Sequence, residues 1–125
     1  MSPTQASDLK ILIVDDDLSY LKLAGTSLSK RGFSVQTAEA GEEALAKIYI
    51  EAPQVVLLDV QMPRLTGDEL VKMITEWKPE IQVLMISSKL TPDLEQDCLE
   101  NGATACLKKP VDFDLLAAKI KKILK

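Results

Sequence analysis

The 125-residue sequence predicts an α/β domain: a doubly wound (βα)5 fold whose five-stranded parallel sheet has the order 2-1-3-4-5, with helices on both faces. Apolar runs and helical patterns alternate five times, and right-handed crossover connections then favour this architecture. The runs at 9–14, 55–58 and 81–86 are almost wholly apolar, as in central parallel strands covered on both faces. The runs at 33–38 and 104–107 alternate in polarity or are short, so we expect them at the sheet edges.

The first three helices are predicted from helical spacing and from the residues that end each helix. The first precedes Gly32, which can adopt the left-handed conformation found just past a helix C-terminus. The second covers 42–50 and ends before Pro53, and the third covers 67–77 and ends at Lys78-Pro79. The residues that show helical spacing in the first helix are Leu18, Leu21, Gly25 and Leu28.

The fourth and fifth helices are marked by capping residues. Thr91 and Pro92 suit the N-cap and first helical position of the fourth helix, which ends at Asn101-Gly102. Asp112 can cap the fifth. Residues 9–125 are therefore predicted to form one domain, after a short disordered leader at 1–8. The apolar stripe of the fifth helix consists of Leu116, Ile120, Ile123 and Leu124.

Composition excludes several classes of function. No apolar run approaches the ~20 residues of a membrane span, and the N-terminus resembles no signal peptide, so a cytoplasmic location is expected. The net charge of −4 argues against direct nucleic-acid binding, and the basic run at 119–125 fits a solvated helix face. The chain has no histidine, which removes histidine-based nucleophile pairs and zinc sites. Cys98 and Cys106 are expected to be buried free thiols.

Charged and hydroxyl residues follow the predicted strands near the point where strand order reverses, between strands 1 and 3. In such sheets, ligands bind outside the carboxyl ends of the strands at this switch point. Carboxylates gathered there repel one another unless a cation is present, and oxygen ligands suit Mg²⁺. An aspartate beside Mg²⁺, a lysine and a hydroxyl is equipped for phosphoryl transfer. The residues concerned are Asp15, Asp16 and Asp17 after strand 1, Asp59 after strand 3, Ser87 after strand 4, and Lys108 and Lys109 after strand 5.

Four motifs together resemble the response-regulator receiver domain, which has a flavodoxin-like fold. They are IVDDD, LLDVQMPRLTG, MISS and LKKP, and the resemblance covers essentially residues 9 to 125. Each motif alone is weak, but their order and spacing together are specific. The resemblance implies a phosphoacceptor domain of a two-component or phosphorelay system that promotes its own phosphorylation and dephosphorylation, not an enzyme acting on a separate substrate.

The resemblance also implies a role for each site residue. Asp59 corresponds to the phosphoacceptor. The Mg²⁺ ligands would be Asp16 directly, Asp15 mainly through water, Asp59, and the backbone carbonyl of Gln61. Ser87 resembles the hydroxyl that binds a phosphoryl oxygen, and Lys109 the invariant cation, with Lys108 in a variable place.

Other residues near the predicted site are expected to have structural roles in the backbone. The Lys109–Pro110 bond is expected to be cis by resemblance. Asp17 falls outside the site and is expected to cap or start a helix. Pro63 and Gly67 have a purely structural explanation, because they shape the loop and the start of the third helix.

Four residues are expected to modulate the switch. Cys106 stands where receivers usually carry Tyr or Phe, a ring that swings inward when the domain is phosphorylated, so the coupling of Ser87 to the output face is in question. Ser88 replaces a usual Ala or Gly. Gln61 and Lys89 occupy places that tune dephosphorylation in the family.

The resemblance implies partners as well. A sensor histidine kinase or phosphotransfer protein would donate the phosphoryl group at the helix 1 side. An effector domain or output protein would use the helix 4–strand 5–helix 5 face, and phosphorylation would drive a homodimer.

Three alternatives stay open from the sequence. A flavodoxin-like FMN carrier would meet repulsion between its phosphate and the carboxylates after strand 1. Asp15, Asp17 and Ser19 resemble the nucleophile motif of haloacid dehalogenase-type phosphatases, although Asp59 then lacks a role. A receiver uncoupled from phosphorylation could act as an interaction module.

Overall fold

Five parallel strands form one sheet in the order β2-β1-β3-β4-β5, which confirms the predicted topology and places β2 and β5 at the edges. The computed structural model describes residues 9–60 and 66–124, so the predicted leader at 1–8 lies outside the described residues. Strand ends differ from the predictions by a residue or so. The strands are β1 (Lys10–Val14), β2 (Ser34–Ala38), β3 (Val55–Asp59), β4 (Gln82–Ser87) and β5 (Ala105–Lys108).

Helices connect the strands, and their caps are largely those that the sequence predicts. The Thr91 hydroxyl accepts a hydrogen bond from the backbone N–H of Leu94, and Gly32 adopts a φ of 95° just after the first helix. The second helix extends one residue at each end, and Ala52 ends it in the left-handed conformation before Pro53. The helices are α1 (Leu18–Lys30), α2 (Gly41–Glu51), α3 (Gly67–Trp77), α4 (Pro92–Glu100) and α5 (Phe113–Ile123).

Side chains of the central strands alternate between two apolar clusters, one on each face of the sheet. Ile11 and Ile13 of β1 lie in the cluster formed with α1 and α5. Leu12 and Val14 lie in the cluster formed with α2, α3 and α4. All four are almost fully buried, and burial of such a side chain stabilises the fold by about 1.5–3 kcal/mol. The two clusters hold the sheet between layers of helices, and the loops at its carboxyl edge carry the polar residues.

One expectation needs correction. Cys98 and Cys106 are both free thiols, as predicted, but only Cys98 is buried, because Cys106 lies on the edge strand β5. Leu18 lies in α1, as its helical spacing predicts; it is the first residue of the helix and 61% exposed, and the buried face carries Leu21, Ala24 and Leu28.

None of the helices in the described part of the chain is both long enough and apolar enough to cross a membrane.

Candidate functional site

Three carboxylates meet at the carboxyl edge of the sheet. Asp15 directly follows β1, Asp59 is the last residue of β3, and these two strands are neighbours in the sheet. One oxygen from each of Asp15, Asp16 and Asp59 lies within 4.8 Å of the others. Asp15 and Asp59 are buried, at 1% and 8% exposure, whereas Asp16 is exposed. Mutual repulsion of charges this close, and partly desolvated, requires a compensating cation.

Lys109 supplies part of that compensation. Its ammonium nitrogen Nζ lies 2.7 Å from Oδ2 of Asp15, and the two side chains are 19% and 2% exposed. The other oxygen of Asp15 accepts a hydrogen bond of 2.9 Å from the backbone N–H of Asp17. Both oxygens of this buried carboxylate are therefore engaged, which fixes its orientation toward the site.

The backbone around Lys109 is fixed from the neighbouring strand. Its N–H donates a hydrogen bond of 2.9 Å to the carbonyl of Ser87, and the Lys109–Pro110 peptide is cis, as the resemblance implied. The loop after β5 is thus attached to the end of β4. Lys108, by contrast, is exposed and pairs with Ser87 only as a strand partner.

Ser87 is completely buried at the end of β4. Its Oγ accepts a hydrogen bond of 3.1 Å from the backbone N–H of Lys89. That bond uses the oxygen as an acceptor, so it does not consume the hydroxyl proton, which can be donated to an incoming anion. Ser88 and Lys89 lie exposed in the turn that follows.

Asp17 is separate from this cluster. It is the N-cap of α1, and its carboxylate accepts hydrogen bonds from the backbone N–H groups of Ser19 and Tyr20 at 3.0 and 3.2 Å. This confirms the prediction that Asp17 starts a helix. It also opposes the phosphatase alternative, which needs Asp17 as a general acid, because the Asp17 carboxylate accepts two backbone hydrogen bonds as the N-cap of α1.

Gly67 brings α3 against the backbone of Asp59. A Cβ at this position would lie 2.5 Å from the Asp59 carbonyl oxygen and 2.5 Å from Cα of Val60. The Gly67 N–H also donates a 3.0 Å hydrogen bond to the Val60 carbonyl. The structural reading of Gly67 is thus confirmed, with the added reason that no side chain fits there. Gln61 and Pro63 lie outside the described residues.

Cys106 faces α4, away from the carboxylates. Its thiol lies 3.8 Å from the carbonyl oxygen of Glu95, to which it can donate, and it packs against the same apolar cluster as Cys98. Burial, followed by the neighbouring Cys98 and then Glu95, raises the pKa of the Cys106 thiol to about 12. Burial likewise raises the pKa of Cys98. Both thiols therefore stay protonated near neutral pH.

Tyr20 is the residue that sequence reasoning missed. Its ring centroid lies 4.1 Å from Nζ of Lys109. Its hydroxyl oxygen is buried, and it finds no hydrogen-bond partner within the part of the chain that the structure describes. Burial first, then the charges of Asp15 and Asp59, raises the pKa of Tyr20 to about 12. The available signal was an aromatic residue in the first turn of a helix that begins at the acidic run.

The donor set fits a hard divalent cation. Carboxylate oxygens are the ligands that Mg²⁺ prefers, and the structure offers one from each of Asp15, Asp16 and Asp59. Together with Lys109, these three carboxylates carry a formal charge that a divalent ion neutralises. The described residues thus form a doubly wound domain with an acidic cation pocket, a buried hydroxyl and a lysine, which is the class of a phosphoryl-accepting switch domain.

Comparison with known proteins gives the same answer. Residues 11–121 match the profile of the response regulator receiver domain, so the chain belongs to that family and is a receiver domain of two-component signalling. It is 42% identical over 117 residues to a transcriptional regulatory protein CpxR homolog from Haemophilus influenzae, covering 93% of this chain and 50% of the relative. It is 39% identical over 119 residues to the alkaline phosphatase synthesis transcriptional regulatory protein PhoP from Bacillus subtilis, covering 93% and 48%.

A solved structure is similar along almost its whole length. The CheY-like response regulator receiver domain protein from Methanospirillum hungatei superimposes with a TM-score of 0.88 at 33% identity, covering 93% of each chain. The chain spans about half the length of the two curated relatives named above, 50% and 48%. The family and the fold of this domain are therefore shown.

Proposed function

We propose that Asp59 accepts a phosphoryl group in the presence of Mg²⁺ and that this modification switches a protein-interaction face. The observation that carries the proposal is the meeting of Asp15, Asp16 and Asp59 within 4.8 Å. Lys109 contacts this cluster through Asp15 at 2.7 Å, and the buried Ser87 ends the next strand. A structural role alone does not explain buried acids, a lysine and a hydroxyl at one strand edge.

In the proposed reaction a carboxylate oxygen of Asp59 attacks phosphorus. The new P–O bond forms as the bond to the donor's leaving group breaks, and the displaced group leaves with that electron pair. Lys109 and the Ser87 hydroxyl then face the phosphoryl oxygens and stabilise their negative charge. Lys109 is already held beside Asp15, whose carboxylate belongs to the same cluster as that of Asp59.

Magnesium would be held by Asp15, Asp16 and Asp59, with the Gln61 carbonyl as a further ligand by resemblance. Bound there, it would neutralise charge on the phosphoryl oxygens and reduce the repulsion between an acidic pocket and an anionic donor. Gln61 and Lys89 are proposed to adjust how readily water removes the phosphoryl group, and Ser88, beside Ser87, is a small change from the usual Ala or Gly.

The partners follow from the family. We propose a sensor histidine kinase or phosphotransfer protein as the cytoplasmic donor, meeting the domain near α1. The α4–β5–α5 face would contact an effector domain, an output protein or a second copy after phosphorylation. The domain would promote its own phosphorylation and dephosphorylation without turning over a separate substrate.

The test is phosphorylation by a small donor. Incubation with acetyl phosphate or phosphoramidate and Mg²⁺ should add the mass of one phosphoryl group, and chelation of Mg²⁺ should prevent it. Asp59→Asn should abolish the addition. Asp17→Asn is the matched control, because it removes an acid of the same run while keeping a good N-cap, and it should be phosphorylated normally. An unmodified wild type, or an Asp59→Asn protein that gains the same mass, would refute the proposal.

One observation keeps a second candidate in view. Cys106 has no ring to follow the movement of Ser87, and its thiol contacts the α4 backbone at Glu95. A receiver that is phosphorylated without changing its α4–β5–α5 face would act as a constitutive interaction module. Backbone amide NMR spectra recorded before and after phosphorylation distinguish the two candidates. Chemical-shift changes throughout α4 and β5 would favour the switch. Changes confined to Asp59, Ser87 and Lys109 would favour the interaction module.

A further inference from the structure

Tyr20 lies where α1 approaches the phosphorylation site. The face of its ring is 4.1 Å from the ammonium of Lys109, and the same ammonium is 2.7 Å from the Asp15 carboxylate. The Lys109 ammonium therefore contacts both a carboxylate and the face of an aromatic ring. A cation over a ring is attracted by the negative face of the π system, more strongly where water is excluded.

The ring itself is firmly placed. Tyr20 packs against the apolar cluster between the sheet and the helices α1 and α5. Its backbone N–H donates to the N-cap Asp17, which fixes the first turn of the helix. Lys109, in contrast, has a flexible stem of four carbons and would sample many rotamers if nothing restricted its end.

We propose that Tyr20 is a positioning residue that acts through Lys109: its ring keeps the ammonium at the site while leaving it able to move from Asp15 toward a phosphoryl group on Asp59. If Asp15 were its only partner, the Lys109 ammonium would have to break that ion pair when it moves toward Asp59. A ring face attracts the cation over a range of positions, so the lysine keeps one favourable contact throughout. This inference rests on the role proposed for Lys109.

The hydroxyl of Tyr20 has a different status from the ring. It is buried and without a partner among the described residues, so it contributes no hydrogen bond that holds Lys109. Tyr20→Phe should therefore preserve the positioning effect. This separates an action through the ring from direct contact of the hydroxyl with a phosphoryl oxygen.

The experiment compares wild type with Tyr20→Phe and Tyr20→Leu in the complete chain. Phosphorylation by acetyl phosphate with Mg²⁺ is followed by intact mass. The Leu variant should react about three- to tenfold more slowly, within the strength of such a contact, and the Phe variant within about twofold of wild type. Tyr49→Leu, which removes a 76% exposed tyrosine from α2, should leave the rate unchanged.

A second measurement does not depend on phosphorylation. In the unmodified protein, the ring should shift the NMR signals of the Lys109 side-chain methylene protons upfield. That shift should persist in Tyr20→Phe and vanish in Tyr20→Leu. If the Leu variant does not fold, Tyr20→Met provides an unbranched apolar replacement for both measurements.

Two results would overturn the inference. One is a Leu or Met variant with the wild-type rate and unmoved Lys109 signals. The other is a Phe variant as slow as the Leu variant, because the hydroxyl rather than the ring would then be responsible. A wild type that takes up no phosphoryl group would refute the proposed function instead, and the NMR comparison would still test the contact between Tyr20 and Lys109.

Discussion

Two neighbouring regions of this receiver domain are built in opposite ways. At the strand edge that carries Asp15, Asp59, Ser87 and Lys109, here called the acidic rim, charged and polar groups are fixed by short, direct bonds, such as the 2.7 Å ion pair between Lys109 and Asp15. At the α4–β5 contact, formed by Glu95, Cys98 and Cys106, the polar interactions are weak ones made by thiols, such as the 3.8 Å contact from Cys106 Sγ to the Glu95 carbonyl oxygen.

The difference fits two proposed tasks: phosphoryl transfer at the acidic rim, and conformational change at the α4–β5 contact. Charges that stabilise a transferring phosphoryl group must be held in place beforehand, since reorganisation during the reaction would raise the barrier. In the proposed switch, the α4–β5 contact would instead have to rearrange. Thiols are small, polarisable and weakly hydrogen-bonding, so little is lost when they shift. The acidic rim should therefore be sensitive to substitution, and the α4–β5 contact tolerant.

The largest effect is expected at Lys109. Lys109→Ala leaves the buried Asp15 carboxylate without its cation and should lower the free energy of unfolding by about 3 kcal/mol in Mg²⁺-free buffer. Phosphorylation should slow roughly a hundredfold, as when one donor to a developing anion is removed. Urea unfolding and intact-mass kinetics provide the measurements. Lys108→Ala, an exposed neighbour, should change stability by less than about 0.5 kcal/mol; equal effects of the two variants would remove the distinction.

A pair of glycines gives the next largest effect. Gly67→Ala places a Cβ 2.5 Å from backbone atoms of Asp59 and Val60, which cannot easily move, so a loss of about 2–3 kcal/mol and slower phosphorylation are expected. Gly25→Ala in α1 meets only side-chain carbons at 3.8 and 3.9 Å. It should raise stability by about 0.5–1 kcal/mol. Chemical unfolding measures both, and a tolerated Gly67→Ala would show that the rim is less rigid than proposed.

The α4–β5 contact should affect how the free energy of unfolding depends on pH in alkaline solution. The folded protein raises the pKa of Cys106 from the ordinary 9.0 to about 12, so it retains a proton that the unfolded chain releases. The stability from this group is complete below pH 9 and should be lost as pH rises toward about 12. Cys106→Ala should flatten the decline measured by urea unfolding, because the lysine titrations are common to both proteins. Identical pH profiles would mean that the thiol is not held in a desolvated contact.

The smallest effects are expected at two helix caps, one beside each region. Asp17→Ala and Thr91→Ala each remove a side chain that accepts backbone hydrogen bonds at the start of a helix. Each should cost about 1 kcal/mol in unfolding experiments. Neither should change the phosphorylation rate more than about twofold, because neither side chain belongs to the proposed site. A large kinetic loss in Asp17→Ala alone would mean that the third aspartate of the acidic run takes part after all.

Much of the fold was predictable because its signals are local. Apolar runs, alternating runs and the capping residues Thr91 and Asp112 report directly on strands and helices, and topology then follows from the handedness of the connections. The acidic rim was predictable for a related reason: parallel strands end at the same edge, so Asp15, Asp59 and Ser87 are expected along that edge. The separation of Asp17 from its two neighbours also followed from a local rule, that of the N-cap.

What the sequence alone determined is thus the order of the strands, the edge where chemistry gathers and the kind of groups gathered there. Only the tertiary structure decided which of those groups touch. The contact of Tyr20 with Lys109, the absence of space beside Gly67 and the partial exposure of Cys106 all depend on how segments far apart in the chain pack together. Periodicity and capping carry no information about such distances, because packing is settled by the shapes of all neighbours at once.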